Sequence, residues 1–363
     1  MAKLTVDYFK LSEMQGGVQS FLEDFKHVYP DFKSISYSQS MYPLYGRIVK
    51  PEGPEASIPE FDRSLMINEY LEKYEKIFRP DIIVKNSIVG TFKKHITPMI
   101  CILQDNNVLG PEILYRKGYY NLMNYNHMKT FLILQESTIK NADAVVASSL
   151  HLKECYEKFG KDIKIIENGV DTNLFKKLPN SDELKDKYGI PKDRKIGITV
   201  TGFHPIKGWH IQAKLCNDFP DVFWVAVFKS QTEKPRLKNV KIFNQVPREQ
   251  MPELYGMADF FVLPSAMEGD NVACKEAMSC NLPVIVSNAG GFWNESTKDH
   301  EVRDFGIVVN KWKYELYKKA LEEMLSGNHK FMPRKYVEGN GFDFETWTEK
   351  WRSLIQKLIK EGK

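Results

Sequence analysis

The sequence predicts an α/β protein made of two Rossmann-like, doubly wound domains. Its 363 residues are enough for two ordinary domains, each with a substantial core. Short apolar runs that suit buried strands alternate with longer segments of helical periodicity in both halves of the chain. Because crossover helices join parallel strands, this alternation favours two parallel sheets covered by helices.

The composition describes a folded chain of modest charge. Hydrophobic residues make up 42% and charged residues 27%, as in soluble globular proteins rather than disordered ones. The net charge is only +4, and residues 1–178 carry 23 Lys and Arg against 22 Asp and Glu. A dedicated nucleic-acid binder usually has a strong positive excess, so the composition counts against that class.

The cysteines and apolar runs indicate the compartment. Five scattered cysteines without a Cys-x-x-Cys motif predict neither a disulfide framework nor a zinc site: Cys101, Cys155, Cys216, Cys274 and Cys280. No apolar run approaches the roughly 20 residues that span a bilayer, and the first ten residues lack the apolar core of a signal peptide. We therefore expect a cytoplasmic protein without a transmembrane segment, with peripheral membrane contact left open.

The first half begins like a mononucleotide-binding unit. A strand predicted over residues 3–9 leads to Gly16 and Gly17 and then to an amphipathic helix over residues 19–28. Another strand, at 98–103, ends at Gln104, and the following Asp105 is equally suited to capping a simple turn.

An aromatic and basic cluster lies in residues 115–126, with four tyrosines next to Arg116 and Lys117. Such a cluster suits a lipid head group, a glycan or a nucleic acid base. The alternative is an ordinary helix face packed on its neighbours, and the sequence leaves both interpretations open.

The second half begins with a strand predicted over 195–200 and a turn after which Lys207 starts a helix. An ammonium group at a strand-to-helix turn is well placed to meet a phosphate. Three regions follow from this organisation: an N-terminal domain over 1–178, a C-terminal domain over 179–343, and a final amphipathic helix over 344–363.

The most informative stretch is residues 260–295. A buried strand at 260–263 leads to a loop carrying Glu268, a helix starts near Asn271 and contains Glu276, and two glycines make a second turn at 290–291. The free backbone amides and the dipole at this helix start favour an anion such as a diphosphate.

In this frame, the Glu268-to-Glu276 spacing resembles the signature of retaining glycosyltransferases of family 4, in which seven residues separate two Glu. The resemblance implies the GT-B fold, with two Rossmann-like domains facing a cleft and a C-terminal helix crossing back to the first domain. It also implies that Glu268 faces the donor sugar and that Glu276 binds the ribose hydroxyls. Amides near Asn271 and Val272, together with the Gly16-Gly17 loop and Lys207, would hold the phosphates.

The sequence departs from the family pattern at three places. Gln104 stands where the family usually has a His, so this position lacks an imidazole for proton transfer. Gly202 replaces an Arg that normally joins Lys207 on the diphosphate, with Arg248, Lys229 and Lys275 as candidate substitutes. Asp270 and Asn271 follow the Glu-Gly pair in place of an aromatic residue and Gly, and we expect Asp270 to help select the sugar.

The resemblance predicts transfer of a hexosyl or pentosyl group, with retention, from a nucleotide sugar to a glycan, lipid or other acceptor hydroxyl. A UDP-sugar is the expected donor and a GDP-sugar the second choice. Neither a metal nor a further cofactor is expected. Two alternatives stay open: a glycosyltransferase that modifies nucleic acid bases, and a non-catalytic module that binds a nucleotide sugar.

Overall fold

The computed structural model describes residues 4–8, 17–30, 33–36, 64–65, 68–69, 71–72, 75–77, 79–87, 90–202, 204–228 and 237–362. The chain divides into two compact units, the first containing residues 1–166 and 348–363 and the second containing residues 167–347.

The first unit is a parallel sheet with helices. Its strands are β1 (Leu4–Tyr8), β2 (Lys33–Ser36), β3 (Ile82–Asn86), β4 (Met99–Leu103), β5 (Ala144–Ala147) and β6 (Ile163–Ile165). Its helices include α1 (Gly17–Val28), α2 (Gly110–Arg116), α3 (Leu122–Asn141) and α4 (Leu150–Tyr156). The strand order is β2-β1-β3-β4-β5-β6, and every neighbouring pair is parallel.

The second unit has a larger sheet. Its strands are β7 (Lys195–Thr201), β8 (Val222–Phe228), β9 (Val240–Asn244), β10 (Phe260–Leu263), β11 (Val284–Ser287), β12 (His300–Arg303) and β13 (Gly306–Val309). Its helices are α5 (Ser181–Tyr188), α6 (Trp209–Asp218), α7 (Met251–Gly256), α8 (Val272–Ser279), α9 (Tyr314–Leu325) and α10 (Pro333–Gly339), and the last helix, α11 (Phe344–Glu361), begins here. The strand order is β12-β13-β11-β10-β7-β8-β9, and only the β12–β13 pair is antiparallel.

Strand β10 is buried on both faces, which is why a continuous apolar run in the sequence predicted it. Phe261 and Leu263 belong to one buried apolar cluster, whereas Phe260 and Val262 belong to another. Successive side chains of a strand point to opposite faces, so both faces of β10 are covered. A strand buried on both faces needs a continuous apolar sequence, as parallel strands in α/β proteins usually have.

From Thr348 onwards, the C-terminal helix α11 belongs to the first unit and packs on it. The ring of Trp351 lies edge-on to Phe21 and Phe25 of α1, at centroid distances of 6.1 and 5.3 Å. Arg352 donates hydrogen bonds to the carbonyl oxygens of His27 and Val28, which end α1. The two doubly wound sheets and the return of this helix confirm the predicted fold class.

The boundary between the two units lies earlier in the sequence than the predicted one, which follows Leu178. The division falls between Ile166 and Glu167. Val170 and Phe175 are fully buried in the core of the second unit, so the segment that follows Asn168 already belongs to it.

Candidate functional site

The topology of the second sheet places two loops side by side. From β7 the chain continues to β8 and β9 on one side, then to β10 and β11 on the other. In doubly wound sheets, ligands bind beyond the carboxyl ends of the two strands at which this order reverses. Here those strands are β7 and β10, and their following loops carry Lys207 and Glu268.

Lys207 and Glu268 form the central contact of this site. The Lys207 ammonium donates to both carboxylate oxygens of Glu268 at 2.9 Å. The Lys207 side chain is 36% exposed and that of Glu268 is 10% exposed, so the pair lies at the edge of the protein interior. Part of the Lys207 side chain is therefore open to solvent.

The loop after β7 is docked directly on the loop after β10. Lys207 lies in a short 3₁₀ turn, Pro205–Lys207, rather than at the start of α6 as the sequence predicted. Gly208 then adopts φ +71°, and a Cβ at this position would lie 1.9 Å from the Pro264 carbonyl oxygen. The Ala266 amide also donates to the Ile206 carbonyl at 2.7 Å. Only glycine permits this approach, which sets the position of Lys207.

Several polar atoms buried around the β10–α8 loop lack a protein partner. Asn271, at the start of α8, is 2% exposed, and neither its amide nitrogen nor its amide oxygen is hydrogen-bonded. The hydroxyl of Ser265, which is also fully buried, likewise has no hydrogen-bond partner. Buried polar atoms in proteins are nearly always paired, so Asn271 and Ser265 are candidates for contact with a polar ligand.

The second glycine turn closes around the same loop. Gly290 has φ +60°, and a Cβ there would lie 2.5 Å from the Asn271 amide oxygen and 3.1 Å from the Glu268 Cβ. The turn at 290–292 therefore has to be free of side chains where it faces both site residues.

Asp270 is committed to a buried ion pair. Its side chain is 0% exposed and contacts Lys275, which is 1% exposed, at 2.9 Å. The same carboxylate accepts a hydrogen bond from the Asn168 backbone at 2.7 Å. Both contacts use one carboxylate oxygen, Oδ2, whereas Oδ1 is buried without a hydrogen bond, so the predicted contact of Asp270 with a sugar stays a prediction. Lys275, a candidate substitute for the missing Arg, is likewise turned inward, over the Phe342 ring.

Glu276 lies in α8 with two polar neighbours. Arg248 approaches one carboxylate oxygen at 3.4 Å, and the Tyr255 hydroxyl donates to the other at 3.3 Å. The Arg248 guanidinium also lies over the rings of Phe175 and Phe344. Burial and the nearby Glu276 raise the pKa of Tyr255 well above its ordinary value, so this hydroxyl stays protonated and can donate.

The candidate residues of the first unit are described in part. Gly17 begins α1, whereas Gly16 lies outside the described residues, as does Lys229 of the second unit. Gln104 follows β4 and is half-buried. Next to it in the sheet, β5 runs parallel with Leu103 opposite Ala147, and His151 follows that strand end. Burial lowers the pKa of His151, which favours its neutral form.

Sequence reasoning missed Tyr255 and Asn168, which contact Glu276 and Asp270. It also missed His151, which follows the strand next to that of Gln104. The parallel order of β4 and β5 was the available signal for His151, because both strand ends point to one sheet edge. Asn168 had no such signal, because it is 102 positions from its hydrogen-bond partner Asp270 in the sequence. Among the described residues, no group of three His, Cys, Asp or Glu is placed to hold a metal ion. No helix in the same part of the chain is long and apolar enough to span a bilayer.

Comparison with solved structures shows the GT-B fold. A sucrose-phosphate synthase from Thermosynechococcus elongatus superposes with a TM-score of 0.76 at 16% identity, covering 99% of this chain and 100% of that one. Anabaena HepE, solved in complex with UDP-glucose, gives 0.69 at 19% identity and covers 98% and 99%. At these identities the likeness concerns the fold alone.

Residues 180–339 match the sequence model of the family described as Glycosyl transferases group 1. This part, less than half of the chain, is therefore similar to a glycosyl transferases group 1 domain. It contains Lys207, Glu268 and Glu276, so the contact between Lys207 and Glu268 lies within the matched region.

Two curated relatives match about half of the chain. One is the phosphatidylinositol N-acetylglucosaminyltransferase GPI3 subunit of Saccharomyces cerevisiae (strain YJM789), 26% identical over 191 residues. The other is the UDP-Gal:alpha-D-GlcNAc-diphosphoundecaprenol alpha-1,3-galactosyltransferase of Escherichia coli, 31% identical over 176 residues. The alignments span 47% and 44% of this chain but only 42% and 44% of the length of these relatives.

Proposed function

We propose that this chain transfers a sugar from a nucleotide diphosphate donor, a UDP-sugar, to a hydroxyl of a glycan or lipid acceptor, with retention at the anomeric carbon. The contact between Lys207 and Glu268, beyond the strand ends where the sheet order reverses, carries the proposal. It joins a cation suited to a diphosphate with a carboxylate suited to sugar hydroxyls.

In this proposal the Lys207 ammonium contacts the donor diphosphate as well as Glu268. The Asn271 amide nitrogen, now without a partner, and the backbone amides near Val272 donate to phosphate oxygens at the start of α8. The acceptor oxygen bonds to the anomeric carbon as the bond from that carbon to the diphosphate breaks, and a diphosphate oxygen takes the acceptor's proton. Negative charge grows on the departing diphosphate, and fixed donors stabilise that charge. The predicted role of Gly16 and Gly17, contact with the donor phosphates, belongs to this proposal, and no step in it requires a metal ion.

Glu268 positions the donor ring, and Glu276 binds the ribose hydroxyls. Because Lys207 holds both oxygens of Glu268, this carboxylate is fixed in place and its charge is balanced. Arg248 and Tyr255 orient Glu276 in the same way. Asp270 and Lys275 act indirectly by fixing the β10–α8 loop, and Gln104 offers hydrogen bonds to the acceptor without taking its proton.

The named relatives support the choice of substrate classes. The E. coli relative is named for a UDP-galactose donor and a diphosphoundecaprenol acceptor, and the yeast relative for a phosphatidylinositol acceptor. Anabaena HepE was solved with UDP-glucose. We take from them a UDP-sugar donor, and lipid-linked acceptors as the first class to try, with the reaction on the cytoplasmic side.

The experiment that tests the function is a screen of UDP-, GDP- and ADP-sugars for binding and slow hydrolysis with EDTA present. We expect one UDP-sugar to respond, and Lys207→Ala to lower kcat/KM by about 10²-fold, as loss of one charge-stabilising group does. Lys195→Ala is the matched control. Lys195 lies at the amino-terminal end of the same strand, β7, away from the site, and forms an ion pair with Asp259. A response lost equally in both variants, or no response to any nucleotide sugar, would refute the proposal.

A further inference from the structure

The segment between β4 and β5 carries exposed apolar side chains that the proposed reaction does not use. Leu122 is 59% exposed and Met123 is 74% exposed, both in the first turn of α3. Tyr119, just before them, is 42% exposed. We call these three residues the α3 tip.

The α3 tip is held rigidly, so its exposure does not come from a frayed helix end. The Asn121 side chain accepts a hydrogen bond from the Asn124 amide and caps α3. Gly118, with φ +75°, ends α2, and the Tyr119 amide donates back to the Leu114 carbonyl at 2.9 Å. A capped helix start and a closed turn therefore present these apolar side chains to the outside.

The apolar surface continues along one face of α3. Leu122, Met123, Asn126 and Thr130 line a shallow depression of ≈ 690 Å³. Ile133, one turn further, is 65% exposed. Side chains at this spacing lie on one side of a helix, so the tip extends into a partly apolar stripe.

Basic side chains flank this surface. Between residues 106 and 135 the sequence has three basic residues, Arg116, Lys117 and Lys129, not counting His127, against a single acidic one, Glu112. Hydrogen bonds from the Tyr125 hydroxyl and from Arg116 to the Glu112 carboxylate lower the pKa of Glu112. Lys117 and Lys129 are exposed. The surface is therefore apolar at its centre and positive at its rim.

The surface lies toward the same end of the first sheet as Gln104, the residue proposed to contact the acceptor. The chain leaves the carboxyl end of β4 at Gln104, and α3 runs from that edge back toward the start of β5. The first turn of α3 therefore lies toward the sheet edge that carries Gln104. A lipid acceptor held in a membrane under the α3 tip would present its head group toward this edge.

We infer that the α3 tip and its basic rim dock this protein on an anionic lipid bilayer. Apolar side chains enter the boundary between head groups and acyl chains, and lysines next to them attract anionic lipids. Docking is independent of donor chemistry, but its purpose, delivery of a lipid acceptor, rests on the proposed function.

The test is flotation of the purified full chain with vesicles of phosphatidylcholine alone or with about 30% phosphatidylglycerol. We expect binding to the anionic vesicles that weakens with salt. Leu122→Asp/Met123→Asp should lower the partition coefficient at least about tenfold, and Lys117→Glu/Lys129→Glu should remove the preference for anionic lipid.

Ile96→Asp is the matched control, because Ile96 is 88% exposed and precedes β4 at the opposite edge of the same sheet. It should bind vesicles like the wild type.

Two vesicle results would overturn the inference: no binding by the wild type, or equal binding by the wild type and the Leu122→Asp/Met123→Asp variant. So would a dimer in solution that this variant dissociates, since the surface would then be an interface between two copies. Binding of UDP, measured separately by calorimetry, should be unchanged in all variants, so a failure of docking is distinct from a failure of the proposed function.

Discussion

At the scale of single residues, the buried pair of Asp270 and Lys275 holds the site loop. Lys275 Nζ contacts Asp270 at 2.9 Å and the Asn168 carbonyl at 3.3 Å, with Glu167 at 4.0 Å. These contacts join the loop before α8 to the segment that begins the second unit. Two charges that are almost fully buried are costly to separate, so this connection resists movement of Asn271.

We predict that Lys275→Met destabilises the protein by about 3–5 kcal/mol, because it leaves the Asp270 carboxylate buried without a cation. Asp270→Asn should cost a comparable amount for the converse reason. The double variant should lose clearly less than the sum of both, since no uncompensated charge remains. Urea unfolding of the four proteins gives the coupling energy, and strictly additive losses would show that the pair does not act as a unit.

At the scale of elements, the site depends on contact between the β7–α6 and β10–α8 loops. Gly208 permits it, because any Cβ there would meet the Pro264 carbonyl oxygen at 1.9 Å. The Trp312 indole donates to the same carbonyl at 2.8 Å, so Pro264 is held from the other side and cannot easily move away. The loop carrying Lys207 would have to lift off to accommodate a larger residue.

Gly208→Ala is therefore expected to cost about 3 kcal/mol, from the left-handed backbone and from overpacking together. Gly327→Ala is a close control: Gly327 has the same φ of +71°, but an added Cβ would meet nothing within 4 Å. The control should lose only about 1–2 kcal/mol from the backbone conformation. Equal losses of the free energy of unfolding in the two variants would show that the loop contact contributes nothing.

Elements of the second unit were predicted well where one physical signal dominates. The strand at 260–263, buried on both faces, agrees with β10 at both ends, and the helix predicted to start near Asn271 begins at Val272. The antiparallel strand β12 was not predicted. Of its residues, His300–Arg303, only Val302 is apolar, and it is 41% exposed, so the strand gives no apolar signal. Its strand conformation comes from pairing with β13.

The partners of site residues were less predictable than the elements. The Glu268-to-Glu276 spacing and Lys207 could be singled out from the sequence, since strand, loop and helix signals lie around them. The ion pair of Asp270 with Lys275 could not, because it depends on burial and on the distant Asn168. Contacts of this kind arise from tertiary packing, about which local sequence patterns carry no information.

At the scale of the whole molecule, carboxylates with lowered pKa determine how the protein responds to acid. For Glu75, burial opposes ionisation, but hydrogen bonds from His95 and the Thr97 amide prevail and lower its pKa. In the second unit, His300 and His329 likewise lower the pKa of Glu323. A carboxyl group whose pKa is lower in the folded state stabilises the protein above its unfolded pKa, and this stabilisation is lost as the pH falls through the folded value.

We therefore predict that the free energy of unfolding falls as the pH drops below the ordinary carboxyl value of 4.5. Glu75→Gln removes one of these carboxylates, so the variant should be less stable than the wild type at pH 7 but should lose less on acidification. Hydrogen exchange of the β3 and β4 amides follows the opening of the first unit, where Glu75 and His95 lie. Glu349→Gln, at an exposed position of α11, should keep the wild-type stability at pH 7 and the wild-type pH dependence. An unchanged pH dependence in Glu75→Gln would mean that the His95 contact does not favour the ionised carboxylate.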